Sequence, residues 1–489
     1  MRKADTDIGL IGLAVMGQNL ALNINDKGYS IAVFNRTTKK TEDFIAGPAK
    51  GRETVYGAYT LEDFVSLLSR PRKIILMVKA GSVVDDFINS LLPLLEEGDV
   101  IIDGGNSYFE DSIRRTKELD AKGILFVGTG ISGGEEGARK GPSMMPGGNP
   151  KAWPIVKDIF QSIAAKTPDG KACCDWVGPD GAGHFVKMVH NGIEYGDMQI
   201  ISEVYHIMKS LLGLSHEEMA DIFEQWNRGS LNSYLIEITR DILRYKDSDG
   251  TPLLENILDT AGQKGTGKWT GIEALEHGVP VTLIVEAVFA RALSAFKEER
   301  VRASELFGEP VIPWSGSKEE KAKIVLDLGE ALLASKIISY AQGFMLMREA
   351  SISNNWSLDF ANIATLWRAG CIIRSVFLDK IREAYSDNPG LENLLFAPFF
   401  KNTLLKAESS WRRVISLASI HGIPVPAMSS ALSFFFAYRS SRLPANMIQA
   451  QRDYFGAHTY ERTDKPRGQF FHTNWTGEGG AATSGTYNA

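Results

Sequence analysis

The sequence predicts an α/β doubly wound domain over residues 1–180, a large all-α domain over 181–441 and a C-terminal tail over 442–489. Three observations predict it. Short apolar runs, IGLIG at 8–12, SIAVF at 30–34, KIILMV at 73–78, DVIID at 99–103 and ILFVG at 124–128, alternate with helix-length segments, as the strands of a parallel sheet do. From about residue 181 the texture changes to long amphipathic patterns at 184–211, 281–300, 321–351 and 427–440, which predict helices. Past Arg442 periodicity is lost and Gly, Thr and Asn accumulate, yet Phe470, Phe471 and Trp475 stand there and need a surface to pack on.

Inside the helical part a repeat is visible. Lys187 to Gly196 followed by Trp226-Asn227-Arg228-Gly229 is echoed by Lys336 to Gly343 followed by Trp367-Arg368-Ala369-Gly370, the pattern of a duplicated helical unit.

With 489 residues, 44% of them hydrophobic, the chain can bury a large core in two or three domains. Its 53 Lys plus Arg against 59 Asp plus Glu give a net charge of -6, which attracts neither nucleic acid nor membrane, so any anion site must be a local cluster. Three cysteines, Cys173, Cys174 and Cys371, are too few for a disulfide framework and lack zinc-ligand spacing. The N-terminus passes from charged residues straight into a strand-like run without a signal-peptide pattern, and no apolar stretch reaches ~18 residues. The expected location is the cytosol, with no metal.

The first strand leads into Gly12-Leu13-Ala14-Val15-Met16-Gly17, a G-x-A-x-x-G form of the dinucleotide fingerprint, followed by a helix to about Asp26 with Gly28 as its C-cap. Small residues there let the backbone approach a pyrophosphate at a helix N-terminus, the signature of a Rossmann-type domain. The second strand ends at Asn35-Arg36-Thr37, where an NAD-selective site would carry a carboxylate for the ribose 2′-hydroxyl. A guanidinium and a hydroxyl suit a 2′-phosphate instead, so the expected cofactor is NADP. Elsewhere, Arg36 would be an ordinary surface arginine. Val78-Lys79-Ala80 and the stretch Asp103 to Ser107 end later strands, where ligands gather in such sheets, making Asn106 a candidate nicotinamide or substrate contact.

At the end of another strand, Ser132-Gly133-Gly134 offers a hydroxyl and glycine N–H groups to a carboxylate, or is simply a flexible turn. In the helix pattern at 184–199, Lys187, His190, Asn191, Glu194 and Tyr195 fall at relative positions 0, 3, 4, 7 and 8, on one face. Taken alone, such a stripe is also the outer side of a solvated helix backed by Val186, Met188, Val189 and Ile193. Its amine, carboxyl and phenol directly follow a dinucleotide domain, which favours a substrate-facing reading. DTAGQKGTGKW at 259–269 is a glycine-spaced basic turn, suited to an anion or to a surface loop.

GLAVMGQNL, FNRT, IIDGGNS, GISGGEEGARKGPSMMPGG, KMVHNGIEYGDMQ, DTAGQKGTGKW and QRDYFGAHTYER, in this order, resemble the decarboxylating 6-phosphogluconate dehydrogenase family over essentially the whole chain. The related short-chain β-hydroxyacid dehydrogenases are less similar in the IEY triplet, the KGTGKW loop and the C-terminal extension. The resemblance implies that Lys187 is the base for the C3 hydroxyl, that Asn191 helps hold enediol charge and that Glu194 protonates the enediol. It implies that Ser132, Gly133, Gly134 and His190 orient the substrate carboxylate end, with Asn106 nearby, and that Asn191 also contacts the substrate. Tyr195, Lys264, Thr266, Arg291, Arg452 and His458 would receive the phosphate and adjacent hydroxyls. It further implies a homodimer in which the tail, with Arg452 and His458, reaches the partner subunit.

Before the resemblance, Arg291 reads equally as a packed arginine in a core salt bridge. Two other functions compete: an NADP-dependent 3-hydroxyacid dehydrogenase acting on an unphosphorylated acid, and an NADP-binding sensor without turnover. Lys264, Arg291 and Arg452 argue against the first, because that much positive charge needs a polyanion. Lys187 and Glu194 argue against the second.

Overall fold

The computed structural model describes residues 6–479 and 483–484. It divides into two compact units, one through Ala431 and one from Leu432 onward.

In the first unit, β1 (Ile8–Ile11), β2 (Ile31–Phe34), β3 (Val55–Ala58), β4 (Lys73–Leu76), β5 (Val100–Asp103), β6 (Leu125–Ser132), β7 (Ser143–Gly148) and β8 (Gly178–Pro179) form one sheet in the order β3-β2-β1-β4-β5-β6-β7-β8. Neighbours are parallel except the antiparallel pair β6 and β7. Strands β1, β2 and β5 are buried at every residue, which is why they read as unbroken apolar runs without alternation. The five expected strands are all present; β3, β7 and β8 are additions, in which a glycine or proline (VYGA, SMMPGG, GP) weakens the strand signal.

Crossovers and flanks are helical: α1 (Val15–Asp26), α2 (Thr38–Ala46), α3 (Leu61–Ser66), α4 (Ser82–Leu91), α5 (Phe109–Asp120), α6 (Gly134–Lys140) and α7 (Trp153–Ile163). Helix α1 is C-capped by Lys27 rather than Gly28, which follows at φ +92° and reverses the chain. Strand order turns back between β1 and β4, opening a crevice at the carboxyl ends of the strands.

The chain then becomes helical: α8 (Ala182–His206), α9 (His216–Trp226), α10 (Tyr234–Arg244), α11 (Thr266–Glu276), α12 (Thr282–Ser294), α13 (Lys297–Phe307), α14 (Lys318–Ser353), α15 (Phe360–Leu366), α16 (Leu378–Asp387), α17 (Pro398–Ile420) and α18 (Pro426–Tyr438). The sheet and helices α8 to α17 share the first unit because α8 packs directly on β6 and β7, and on α11, α12 and α14; α18 runs across the boundary between the units. Capping boxes at Ser215 with Glu218 and Ser317 with Glu320 start α9 and α14. In the two echoed segments, α9 ends at Trp226 and α15 is closed by Trp367. Lys336, the counterpart of Lys187, is fully buried in an ion pair with Asp197 of α8.

The second unit departs from the expected irregular tail. It contains α19 (Ala445–Gly456) and the antiparallel pair β9 (Tyr460–Glu461) and β10 (Phe470–Phe471). Buried Asp453 organises it: its carboxylate accepts the Thr459 N–H (3.0 Å), the Thr473 N–H (3.0 Å), the Trp475 Nε1–H (2.9 Å) and His472 Nδ1 (2.9 Å). This polar hub is invisible to hydrophobic periodicity, which explains why the sequence reading found no order there.

Candidate active site

At the crevice, Gly12 sits at φ +105°, and a Cβ there would overlap the Met77 carbonyl, just as one on Gly17 would overlap the Gly12 carbonyl. Asn35 accepts the Leu13 N–H at 3.0 Å, which fixes the loop against the end of β2. Ala14 is the N-cap of α1 and provides no side-chain cap, so the N–H groups of the first turn face outward for an anion. Arg36 is exposed and makes no ion pair or hydrogen bond among the described residues; Thr37 begins α2 without capping it with its hydroxyl. Lys79 and Asn106 are exposed after β4 and β5, and Val78 and Ala80 are half-buried.

The polar stripe on α8 does not face water. Lys187, His190, Asn191 and Tyr195 are all buried, because β6 covers one side of the helix and α11 the other. Lys187 Nζ donates to Asn191 Oδ1 at 2.8 Å, and Asn191 Nδ2 donates to Thr266 Oγ1 at 2.9 Å. His190 Nδ1 lies 3.1 Å from the Asn191 oxygen and 3.4 Å from Lys187 Nζ, and its Nε2 lies 3.2 Å from the Ser132 hydroxyl. The Trp367 ring lies edge-on to the imidazole, 5.7 Å between centroids.

Burial depresses the Lys187 amine, an effect that the nearby Glu194 carboxylate opposes. Burial raises Glu194, partly offset by Lys187 and Arg291. The pair therefore has a weakened preference for the ammonium and carboxylate forms, as an acid and base exchanging protons require. Cys371 stays buried, and desolvation pushes its thiol up to about 12, so it is not a reactive thiolate.

Gly133 starts α6 at φ +118°, where a Cβ would come within 2.5 Å of the Gly370 carbonyl; Gly134 is also in the left-handed region. The glycine of the second echoed segment thus backs the Ser132 turn. On the other flank, Gly267 allows α11 to lie against the Tyr195 ring, where an added Cβ would come within 2.5 Å of a ring carbon. Arg291 stacks over that ring at 3.5 Å and donates to the Gly262 carbonyl at 3.3 Å. It makes no salt bridge among the described residues, so the packed-ion-pair alternative is not what the structure contains. Lys264 is exposed at the tip of this loop.

The NAD binding domain of 6-phosphogluconate dehydrogenase, as a family model, matches residues 7–178, and the 6-phosphogluconate dehydrogenase C-terminal domain matches residues 183–475. The chain belongs to the 6-phosphogluconate dehydrogenase family. It is 63% identical over 491 residues to the decarboxylating 6-phosphogluconate dehydrogenase of Cunninghamella elegans, covering 100% of each chain. The human decarboxylating 6-phosphogluconate dehydrogenase is 60% identical over 487 residues, 99% of this chain and 100% of that one. A Plasmodium falciparum 6-phosphogluconate dehydrogenase, solved in apo form, with NADP+ and with 6-phosphogluconate, superposes with a TM-score of 0.91 at 46% identity, covering 96% of this chain and 100% of that one.

For this family member, the structure joins Lys187, His190, Asn191, Ser132 and Thr266 through hydrogen bonds, with Glu194 3.8 Å from His190. Tyr195 and Arg291 form an adjacent pair. Arg452 and His458 belong to the second unit, where Arg452 Nη1 donates to Gln449 Oε1 at 3.0 Å. Sequence reasoning missed Trp367 as the wall behind His190, and missed buried His184, which shares a 2.6 Å hydrogen bond with Ser112 of α5. The Trp367 echo of Trp226 was the available signal; His184 offered none.

Proposed function

We infer that the protein catalyses the NADP-dependent oxidative decarboxylation of 6-phosphogluconate to ribulose 5-phosphate and carbon dioxide. The observation that carries this reading is the buried Lys187–Asn191–Thr266 chain with Glu194 beside it, in a chain of this family. The crevice fits NADP: Gly12 and Gly17 leave the backbone bare, the α1 N-terminus is uncapped by a side chain, and exposed Arg36, without an ion pair among the described residues, suits a 2′-phosphate. Gly12 to Gly17, Asn35, Arg36, Thr37, Val78, Lys79, Ala80 and Asn106 would hold it. When bound, NADP accepts the hydride from C3.

Lys187, whose amine burial shifts toward the neutral form, takes the C3 hydroxyl proton and then, as an ammonium, donates to the 3-keto oxygen. The C1–C2 bond breaks, carbon dioxide leaves, and its electron pair forms the enediol, whose oxygen charge the ammonium and Asn191 stabilise. Glu194, raised by burial, delivers a proton to carbon 1 of that enediol (carbon 2 of the substrate). Ser132, Gly133, Gly134 and His190 orient the carboxylate end; Tyr195, Lys264, Thr266 and Arg291 receive the phosphate end.

The domain limits 1–180, 181–441 and 442–489 are retained as the functional division: cofactor, substrate and tail. Arg452 and His458 would complete the site of the other subunit of a homodimer. A cytosolic location is consistent with three buried free cysteines. Steady-state NADPH formation, comparing NADP with NAD on 6-phosphogluconate and on gluconate, tests the reading. Turnover of gluconate at the rate of its phosphate ester would overturn it.

A further inference from the structure

Two loops border the nicotinamide side of the crevice in this reading, Val78 to Gly81 after β4 and Gly104 to Ser107 after β5. A single side chain joins them. Arg115 of α5, 1% exposed, donates from Nε to Asp85 Oδ1 (2.8 Å) and from Nη2 to Asp85 Oδ2 (3.0 Å) and the Gly81 carbonyl (3.0 Å). Its Nη1 donates to Asp103 Oδ2 at 3.3 Å. Asp103, wholly buried, in turn accepts the Gly105 N–H (3.0 Å) and the Ser107 hydroxyl (2.6 Å), the two residues that flank Asn106. One planar guanidinium therefore fixes the start of α4 and both neighbours of Asn106. A lysine, a point charge on a flexible stem, cannot span the two.

We propose that Arg115 is a positioning residue for the nicotinamide end of NADP: it holds the two loops at one separation, so that Lys79, Ala80 and Asn106 meet the ring together. The proposal rests on the cofactor reading of those loops. Adenosine 2′,5′-bisphosphate, which has the 2′-phosphate end of NADP but no nicotinamide, separates positioning from general stability. In calorimetric titrations of the full-length protein, Arg115→Lys and Asp85→Asn should bind the bisphosphate within about twofold of wild type. They should bind NADP about tenfold more weakly, the scale of one lost hydrogen bond. Should Arg115→Lys fail to fold, Asp85→Asn, whose partly exposed side chain keeps its shape, decides alone. An unchanged ratio of NADP to bisphosphate affinity overturns the proposal. Asn106→Ala tells the two readings apart: a changed ratio there with none in the other variants removes Arg115 only, whereas no change in any variant removes the loops from the cofactor site as well.

Discussion

Gly130 of β6 and Lys187 of α8 occupy touching positions: a Cβ on Gly130 would overlap the Lys187 Cβ and lie 2.8 Å from its Cγ. The strand thus fixes the root of the side chain proposed as the base, not its mobile end. Gly130→Ala should displace the amine, with overpacking costing about 1–3 kcal/mol of stability. The expected result is a fall in kcat with NADP affinity unchanged. A variant with wild-type kcat would show that the lysine tolerates movement.

Glu194 opposes the depression of Lys187 by burial, so removing its charge has a signed consequence. In Glu194→Gln the amine loses a group that stabilises its protonated form, and its pKa falls further. With the neutral amine as the proposed base, the acid limb of the rate of NADPH formation in a single turnover should move to lower pH. Steady-state turnover should drop by on the order of 10²–10⁴-fold, since proton delivery to the enediol is lost. An acid limb that stays in place would remove the coupling; normal turnover would remove Glu194 from the mechanism.

Lys187→Met keeps an unbranched side chain, one atom shorter, without a titratable group. Both oxidation and decarboxylation should cease, while Asn191 and Thr266 retain their mutual contact and NADP still binds. Near-normal turnover would require another base.

Arg36, exposed just after β2, makes no ion pair or hydrogen bond among the described residues, so replacing it disturbs none of their contacts. Arg36→Glu exchanges a charge-assisted contact to the 2′-phosphate, worth ~1.5–3 kcal/mol, for a repulsion. NADP binding should weaken far more than NAD binding. Equal losses for both cofactors would refute the assignment.

How legible all this was depended on what kind of physics placed each residue. Strands β1, β2, β4, β5 and β6 were readable because both faces are buried and the apolar run is continuous. The stripe on α8 was readable from its spacing, but its direction was not: a polar helix face normally points to water, and only the cover from β6 and α11 turns this one inward. Strand β7, SMMPGG, escaped because glycines that let backbones approach look like turn residues. Asp453 and Arg115 escaped for a different reason. Asp453 accepts hydrogen bonds from, and Arg115 donates them to, residues distant in sequence, and no local pattern encodes such a hub.

The remaining prediction concerns which subunit supplies Arg452. The second unit is built around Asp453, next in sequence, whose four hydrogen-bonding partners order the segment carrying Arg452 and His458. Such a preformed element is suited to dock on a neighbour, and twofold symmetry would complete both sites of a homodimer equally. Lys187→Ala and Arg452→Ala homodimers should each be inactive. After dissociation and random exchange, half of the dimers are mixed, and if Arg452 acts in trans each mixed dimer holds one site with both lesions and one with neither. Activity should then return to about one quarter of wild type. If Arg452 acts within its own subunit, every site carries a lesion. An inactive mixture, with exchange verified by differently tagged subunits, would refute the shared site.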